Sequence, residues 1–134
     1  MKSKVNAFIV IYTLELENLK VHLREKVAQY IEDHDKGSIT NYVFRENRAL
    51  LENEINGLDI FINGVHKLDT SKFDDLGALR DVLNSINEKL CAEEGIARTT
   101  ATLAKRKADR IVSYFMESER ADEEYFSSIG HRRE

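Results

Sequence analysis

The sequence contains no proline and no tryptophan, only six glycines and a single cysteine. Without proline, nothing in its 134 residues forces a break in a helix. One cysteine excludes an internal disulfide, so the fold does not depend on an oxidising compartment. The net charge of −4 argues against a dedicated nucleic-acid binder, which would usually be basic.

No apolar run approaches the roughly 20 residues of a membrane span. The N-terminal residues imitate a signal peptide, but the apolar run from Ala7 to Tyr12 is too short, and Glu15 and Glu17 follow at once. We therefore interpret this segment as the start of a helix and expect a cytoplasmic protein.

Apolar residues recur every three or four positions along most of the chain. This spacing predicts helices that carry one apolar stripe and pack against each other along it. The stripes consist of Ile9, Tyr12, Leu16, Leu19 and Leu23; of Leu51, Ile55, Leu58, Ile62 and Val65; and of Leu76, Leu79, Leu83, Ile86 and Leu90. The sequence thus predicts an all-α fold, an antiparallel bundle of three to four long helices with coiled-coil-like packing.

Glycines and polar residues mark the ends of these helices. We expect helices over residues 6–35, 39–68 and 73–94. Gly37 can end the first helix in a left-handed conformation, and Ser38 can cap the second. Gly95 gives four helices if it breaks the chain and three if it does not. Residues 1–116 form the predicted bundle domain, and residues 117–134 form a charged, partly flexible C-terminal tail.

An Asn-Gly pair occurs twice in the second helix, at Gly57 and at Gly64, seven residues apart. Asn-Gly between apolar residues is also a hairpin signal, so residues 58–68 could form two strands. The heptad spacing on both sides favours a helix. Two turns apart, the glycines share a face that permits close backbone approach; that face serves either tight internal packing or a groove for a partner helix.

No catalytic, cofactor or metal motif is present. The four histidines form no i, i+3 or i, i+4 pair, and the acidic run around His34 is interpreted as a solvated helix end. Cys91 follows the apolar Leu90, which favours a buried or half-buried thiol. The basic run from Lys105 to Lys107 has no interleaved aromatics, so a solvated face or salt bridges to glutamates is expected rather than nucleic-acid binding.

The candidate sites are therefore protein-binding sites. An amphipathic partner helix could dock on exposed apolar side chains of the second and last helices. Buried aromatic residues often anchor such interfaces, and two aromatic pairs occur near the C-terminus. The candidates are Leu58, Phe61, Val65, Leu103, Ile111, Tyr114, Tyr125, Phe126 and Ile129.

In layout the chain resembles the flagellar type III export chaperones of the FlgN and FliT kind. The resemblance covers residues 7 to about 126: a long first helix, a short turn, a second helix carrying the segment from Glu46 to Glu52, a brief linker, and a last helical region with a charged aromatic tail. It implies a cytoplasmic, non-enzymatic protein that holds an amphipathic segment of an export substrate. It also implies that a C-terminal tyrosine docks to the export gate, with Tyr125 as first candidate and Tyr114 as second.

The expected function is thus that of a non-enzymatic, protein-binding helical module without cofactor or metal. Its partner would be the amphipathic helix of a client, or an export-gate component. The alternative is a structural homo-oligomer, such as a homodimer, in which the same stripes pair between copies and no client exists.

Overall fold

The computed structural model describes the backbone of residues 2–133 and the side-chain surroundings of residues 4–125 and 127. Over this range the chain forms four α-helices and no strand, which confirms the all-α prediction. The helices are α1 (Lys2–Asp35), α2 (Asn41–His66), α3 (Leu76–Glu94) and α4 (Arg98–Arg133), with one 3-10 turn at Thr70–Lys72.

The helix end predicted at Gly37 is confirmed, and the question that the sequence left open at Gly95 is decided in favour of a break. Gly37 and Gly95 have φ values of 74° and 69°, in the left-handed region that glycine adopts without a steric penalty. Gly95 therefore separates α3 from α4. The two Asn-Gly pairs lie inside α2, so the hairpin alternative is excluded.

The predicted helix starts differ from the observed ones. Ser38 was expected to cap α2, but its N–H bonds the carbonyl of Asp33 at 2.8 Å and so completes the end of α1. Thr40 caps α2 instead, and its hydroxyl accepts the N–H of Val43 at 3.2 Å. α3 begins at Leu76 rather than at residue 73, because Asp75 provides the cap and accepts the N–H of Gly77 at 2.7 Å.

Contacts between the helices show an up-down-up-down bundle. α4 runs antiparallel to α1: Lys107 pairs with Glu15 at 3.4 Å, and Lys4 pairs with Glu119. The hydroxyl of Tyr12, on α1, donates to the carbonyl of Ala104 on α4 at 3.0 Å. The core consists of Val5, Phe8, Tyr12, Leu16, Leu23, Leu58, Phe61, Ile62, Val65, Leu79, Leu83, Ala104, Ala108, Ile111 and Val112.

The helices differ in length, so α3 and α4 cover only part of the pair formed by α1 and α2. No side chain between residues 24 and 56 is buried, although this segment includes the end of α1 and more than half of α2. We call residues 24–56 the hairpin tip. It projects beyond α3 and α4 because those two helices meet at Gly95. At the opposite end, α4 continues past Glu119 to Arg133 without a break at residue 116.

Candidate docking surfaces

Four of the predicted docking residues lie in the core of the bundle. Leu58, Phe61 and Val65 are each 1% exposed, and Ile111 is 4% exposed. The prediction placed a partner helix on this part of α2, but the other helices of the same chain already pack against it; the centre of the Phe61 ring, for example, lies 6.0 Å from that of Tyr12 on α1. These four residues therefore stabilise the fold and are removed from the candidate docking surface.

The two glycines of α2 show how closely this cover packs. A Cβ atom added to Gly57 would lie 3.2 Å from Cγ2 of Ile96 and 3.4 Å from Cγ2 of Thr100. A Cβ atom added to Gly64 would lie 3.6 Å from Cγ2 of Ile86. The glycine face thus serves close internal packing, one of the two interpretations that the sequence allowed.

The glycine face continues along α2 into the hairpin tip. At the same seven-residue spacing, Gly64 and Gly57 are followed toward the N-terminus by Leu50 and Val43. Leu50 is 61% exposed and Val43 is 38% exposed. We call Val43, Asn47, Leu50 and Glu54 the open face; they occupy one side of α2 at 4-3-4 spacing.

The N-terminal end of α4 marks the point along α2 where α3 and α4 stop covering the glycine face. The hydroxyl of Thr99, in the first turn of α4, donates to Oε1 of Glu54 at 3.4 Å. N-terminal to Glu54, no described residue of α2 is buried. The seven-residue spacing of Val43, Leu50, Gly57 and Gly64 in the sequence could have revealed the open face. It could have done so only together with the knowledge that α3 ends at Gly95 and that α3 and α4 therefore cover only part of α2.

A second exposed surface lies on α4, where the sequence predicted several site residues. Leu103 is half-buried, and Tyr114 is 63% exposed. Tyr125, also 63% exposed, lies near the end of the helix. The side chains of Phe126 and Ile129 lie outside the described residues, so their docking role stays a prediction.

Tyr114 borders a shallow apolar groove between α1 and α4. Its other lining residues are Ile11 and Glu15 on α1 and Arg110 and Ile111 on α4. Leu14, one helical turn beyond Ile11 and Val10, is 63% exposed and extends the apolar area. The sequence interpretation missed these α1 residues because it followed only the stripe that faces the core.

Two buried polar groups in the bundle have shifted pKa values. Burial raises the pKa of the Tyr12 hydroxyl, and the negative charge of Asp109 raises it further. For Lys20, burial lowers the pKa, but hydrogen bonds to Asp59 and Glu17 outweigh this effect, so the pKa is raised overall. Both groups keep their protons at neutral pH and serve packing between helices.

A polar cleft lies between α3 and α4, away from these surfaces. Asn87 is buried there and donates from Nδ2 to the carbonyl of Ala101 at 2.7 Å. Arg98, on the same cleft, is paired with Glu88 at 3.0 Å. The cleft thus has mixed charges that largely neutralise one another, without a nucleophile beside a base.

The described residues give no further chemical site. Among them, no group of three or more histidine, cysteine, aspartate or glutamate side chains is placed to hold a metal ion. Cys91 is half-buried, as the sequence predicted. Within the described range, no helix combines the length and apolar character that crossing a bilayer requires.

Comparisons with known proteins gave no match. No protein-family model, no curated protein and no solved structure matches the chain. Two surfaces of the described chain carry the candidate docking residues: the open face of α2 and the exposed side of α4.

Proposed function

We propose that this chain is a non-enzymatic helical protein that binds an amphipathic helix of another protein on the open face of α2. The observation that carries the proposal is the continuity of one face: it is covered at Gly64 and Gly57 and uncovered at Leu50 and Val43. A face that packs against helices over half its length has a suitable shape for a helix over the other half.

A bound helix would extend the cover that α3 and α4 provide in the bundle. Burying an exposed leucine or valine side chain contributes about 1.5–3 kcal/mol, so Leu50 and Val43 supply an apolar centre. Glu46 and Asn53, both exposed and four and three residues from Leu50, border this centre and can contact polar groups of the partner. The expected partner segment has apolar residues at i, i+3, i+4 and i+7.

More specifically, we propose that the partner is a segment of an exported protein and that the chain acts as a cytoplasmic export chaperone of the flagellar type. Its small helical fold, its two separate exposed surfaces on α2 and α4, and the resemblance in layout support this role. Tyr125, which is 63% exposed, remains the first candidate for contact with the export gate. Tyr114 remains the second candidate.

Site-specific photo-crosslinking in the source cells tests both levels of the proposal. A photoreactive amino acid replaces Leu50 in one variant and Met116, which is 50% exposed at the other end of the bundle, in the control. We expect a defined partner at position 50 that is absent at position 116, with the crosslink in an amphipathic helix. Leu50→Glu should reduce recovery of that partner at least tenfold, whereas Met116→Glu should not.

Two results would contradict the proposal at different levels. Identical crosslinks at both positions, or none at position 50, would show that the open face binds no partner. A partner that is neither a secreted subunit nor an export component would leave helix binding intact but exclude the chaperone role. A structural homo-oligomer that buries Leu50 in self-contacts would also exclude it, and light scattering of Leu50→Glu detects that case.

A further inference from the structure

The charges of α4 are separated along its length. Residues 98–110 contain five basic residues and one acidic residue, a net charge of +4, whereas residues 117–124 contain five acidic residues and one basic residue, a net charge of −4. Tyr114 lies between the two halves. Such a helix is electrostatically complementary to a copy of itself that runs in the opposite direction.

Several of these charges have no ion-pair partner within the described part of the chain. Arg98, Lys107 and Glu119 are paired with other helices of the bundle. Arg106 and Arg110 in the basic half, and Glu117 and Glu124 in the acidic half, form no such pair with a described residue and are exposed. These charges remain available to a second molecule.

Three of the four charges and the tyrosine lie on one stripe of α4. Positions 103, 107, 110, 114, 117, 121 and 124 follow each other in 4-3-4-3-4-3 steps, which places them on one helical stripe. Arg110 and Glu117 lie at nearly equal distances on either side of Tyr114, and Leu103 and Glu124 lie farther out in the same way. Arg106 borders the stripe one turn from Arg110.

We infer that α4 pairs antiparallel with α4 of a second copy of this chain, with Tyr114 at the twofold axis. In this arrangement Arg110 of each copy lies opposite Glu117 of the other, and Arg106 comes within reach of Glu124. A parallel pair would instead bring like charges together along the whole contact. The antiparallel arrangement is therefore the one that the charges favour.

The groove beside Tyr114 supplies the apolar centre of this dimer. Because Tyr114 borders the groove formed with Ile11 and Ile111, a twofold axis at Tyr114 places the tyrosine of each copy next to the groove of the other. Leu14 adds exposed apolar area on the α1 side. From Leu103 to Glu124 the contact extends about 30 Å along the helix.

This interface is separate from the open face of α2. The open face lies in the hairpin tip, whereas the α4 stripe borders α1 in the bundle. A dimer through α4 therefore leaves Leu50 exposed and is compatible with partner binding. The dimer and the proposed function can accordingly fail independently of each other.

Sedimentation equilibrium of charge-reversal variants tests the inference. R106E/R110E and E117R/E124R should each be monomeric at concentrations where the wild-type chain is dimeric, with a dimer dissociation constant at least tenfold higher. An equimolar mixture of the two variants should form a dimer again, because each end of the mixed interface then pairs opposite charges. Raising the salt from about 50 to 500 mM should weaken the wild-type dimer.

E93R/E94R is the matched control, since it changes the net charge as much as E117R/E124R does, at exposed positions at the end of α3. It should leave the dissociation constant within about twofold of the wild-type value. Circular dichroism at 222 nm establishes that every variant is folded. A wild-type chain that stays monomeric at low salt would overturn the inference, as would a mixture that does not dimerise or an equal loss in the control. A dimer that only Leu50→Glu dissociates would overturn it too.

Discussion

The two glycines of α2 provide a matched pair of substitutions with opposite expected signs. Replacing a helical glycine by alanine stabilises a helix by about 1 kcal/mol where the new methyl group fits. At Gly64 it fits, because the added Cβ would lie 3.6 Å from Ile86 and 3.7 Å from Leu90, which is ordinary van der Waals contact. Gly64→Ala should therefore raise the free energy of unfolding by about 0.5–1 kcal/mol.

At Gly57 the added methyl group meets less room. It would lie 3.2 Å from a branched methyl of Ile96 and 3.4 Å from one of Thr100, and both residues are buried. Overpacking in a core typically costs about 1–3 kcal/mol, which exceeds the gain in helix propensity. Gly57→Ala should therefore lower the free energy of unfolding by about 1 kcal/mol.

Urea unfolding followed by circular dichroism at 222 nm measures both variants, and thermal unfolding should show midpoints shifted by about 4 °C per kcal/mol in opposite directions. If Gly64→Ala destabilises the chain, or if Gly57→Ala stabilises it equally, then α3 and α4 do not cover α2 in the way described.

Other perturbations test separate parts of the bundle. Tyr12→Phe removes a hydrogen bond to Ala104 and should cost about 1 kcal/mol at pH 7. Because the pKa of Tyr12 is raised in the folded state, the stability that its protonated hydroxyl contributes is present below pH 10 and is lost above pH 10 by about 1.4 kcal/mol per pH unit. Urea titrations at several alkaline pH values should therefore show a smaller decline in the free energy of unfolding for Tyr12→Phe than for the wild-type chain. Equal slopes of this free energy against pH would refute the assignment. Gly95→Ala places an alanine in the left-handed backbone conformation and should destabilise the chain by about 1–2 kcal/mol in thermal unfolding. An unchanged stability would mean that α3 and α4 form one continuous helix through this position. Lys20→Met should change the free energy of unfolding by less than about 1 kcal/mol, since its carboxylate partners Asp59 and Glu17 are partly exposed and stay hydrated. A loss of about 3 kcal/mol or more, on the scale of a broken buried ion pair, would show instead that the two carboxylates are left unpaired and poorly hydrated without this lysine.

The fold was largely readable because its main signals are local. Spacing at three and four residues identifies a helix wherever it occurs, and Gly37 and Gly95 mark helix ends because few other residues tolerate their backbone conformation. The starts were less readable, since serine, threonine and aspartate all cap helices. Ser38 and Thr40 compete within three residues, and only the path of the turn decides which hydroxyl reaches the first N–H groups of α2.

The candidate site was less readable because exposure depends on which helices cover which. Leu58, Phe61 and Val65 have the same local pattern as Leu50, yet the other helices of the bundle bury the first three and leave the fourth exposed. Helix lengths and the position of Gly95 determine this difference, and no single stripe contains that information. Tyr114 was named as a docking candidate from its aromatic pair with Phe115, and the structure leaves it 63% exposed, but its docking role stays a prediction.

Hydrogen exchange along α2, followed by mass spectrometry on the isolated chain, tests most directly whether the helical cover stops at Gly57. If the open face is uncovered, the amides from Leu58 to Val65 should exchange on the order of a hundredfold more slowly than those from Phe44 to Leu51. Equal protection along the whole of α2 would show that the hairpin tip is packed like the bundle, and it would remove the surface on which the proposed partner binds.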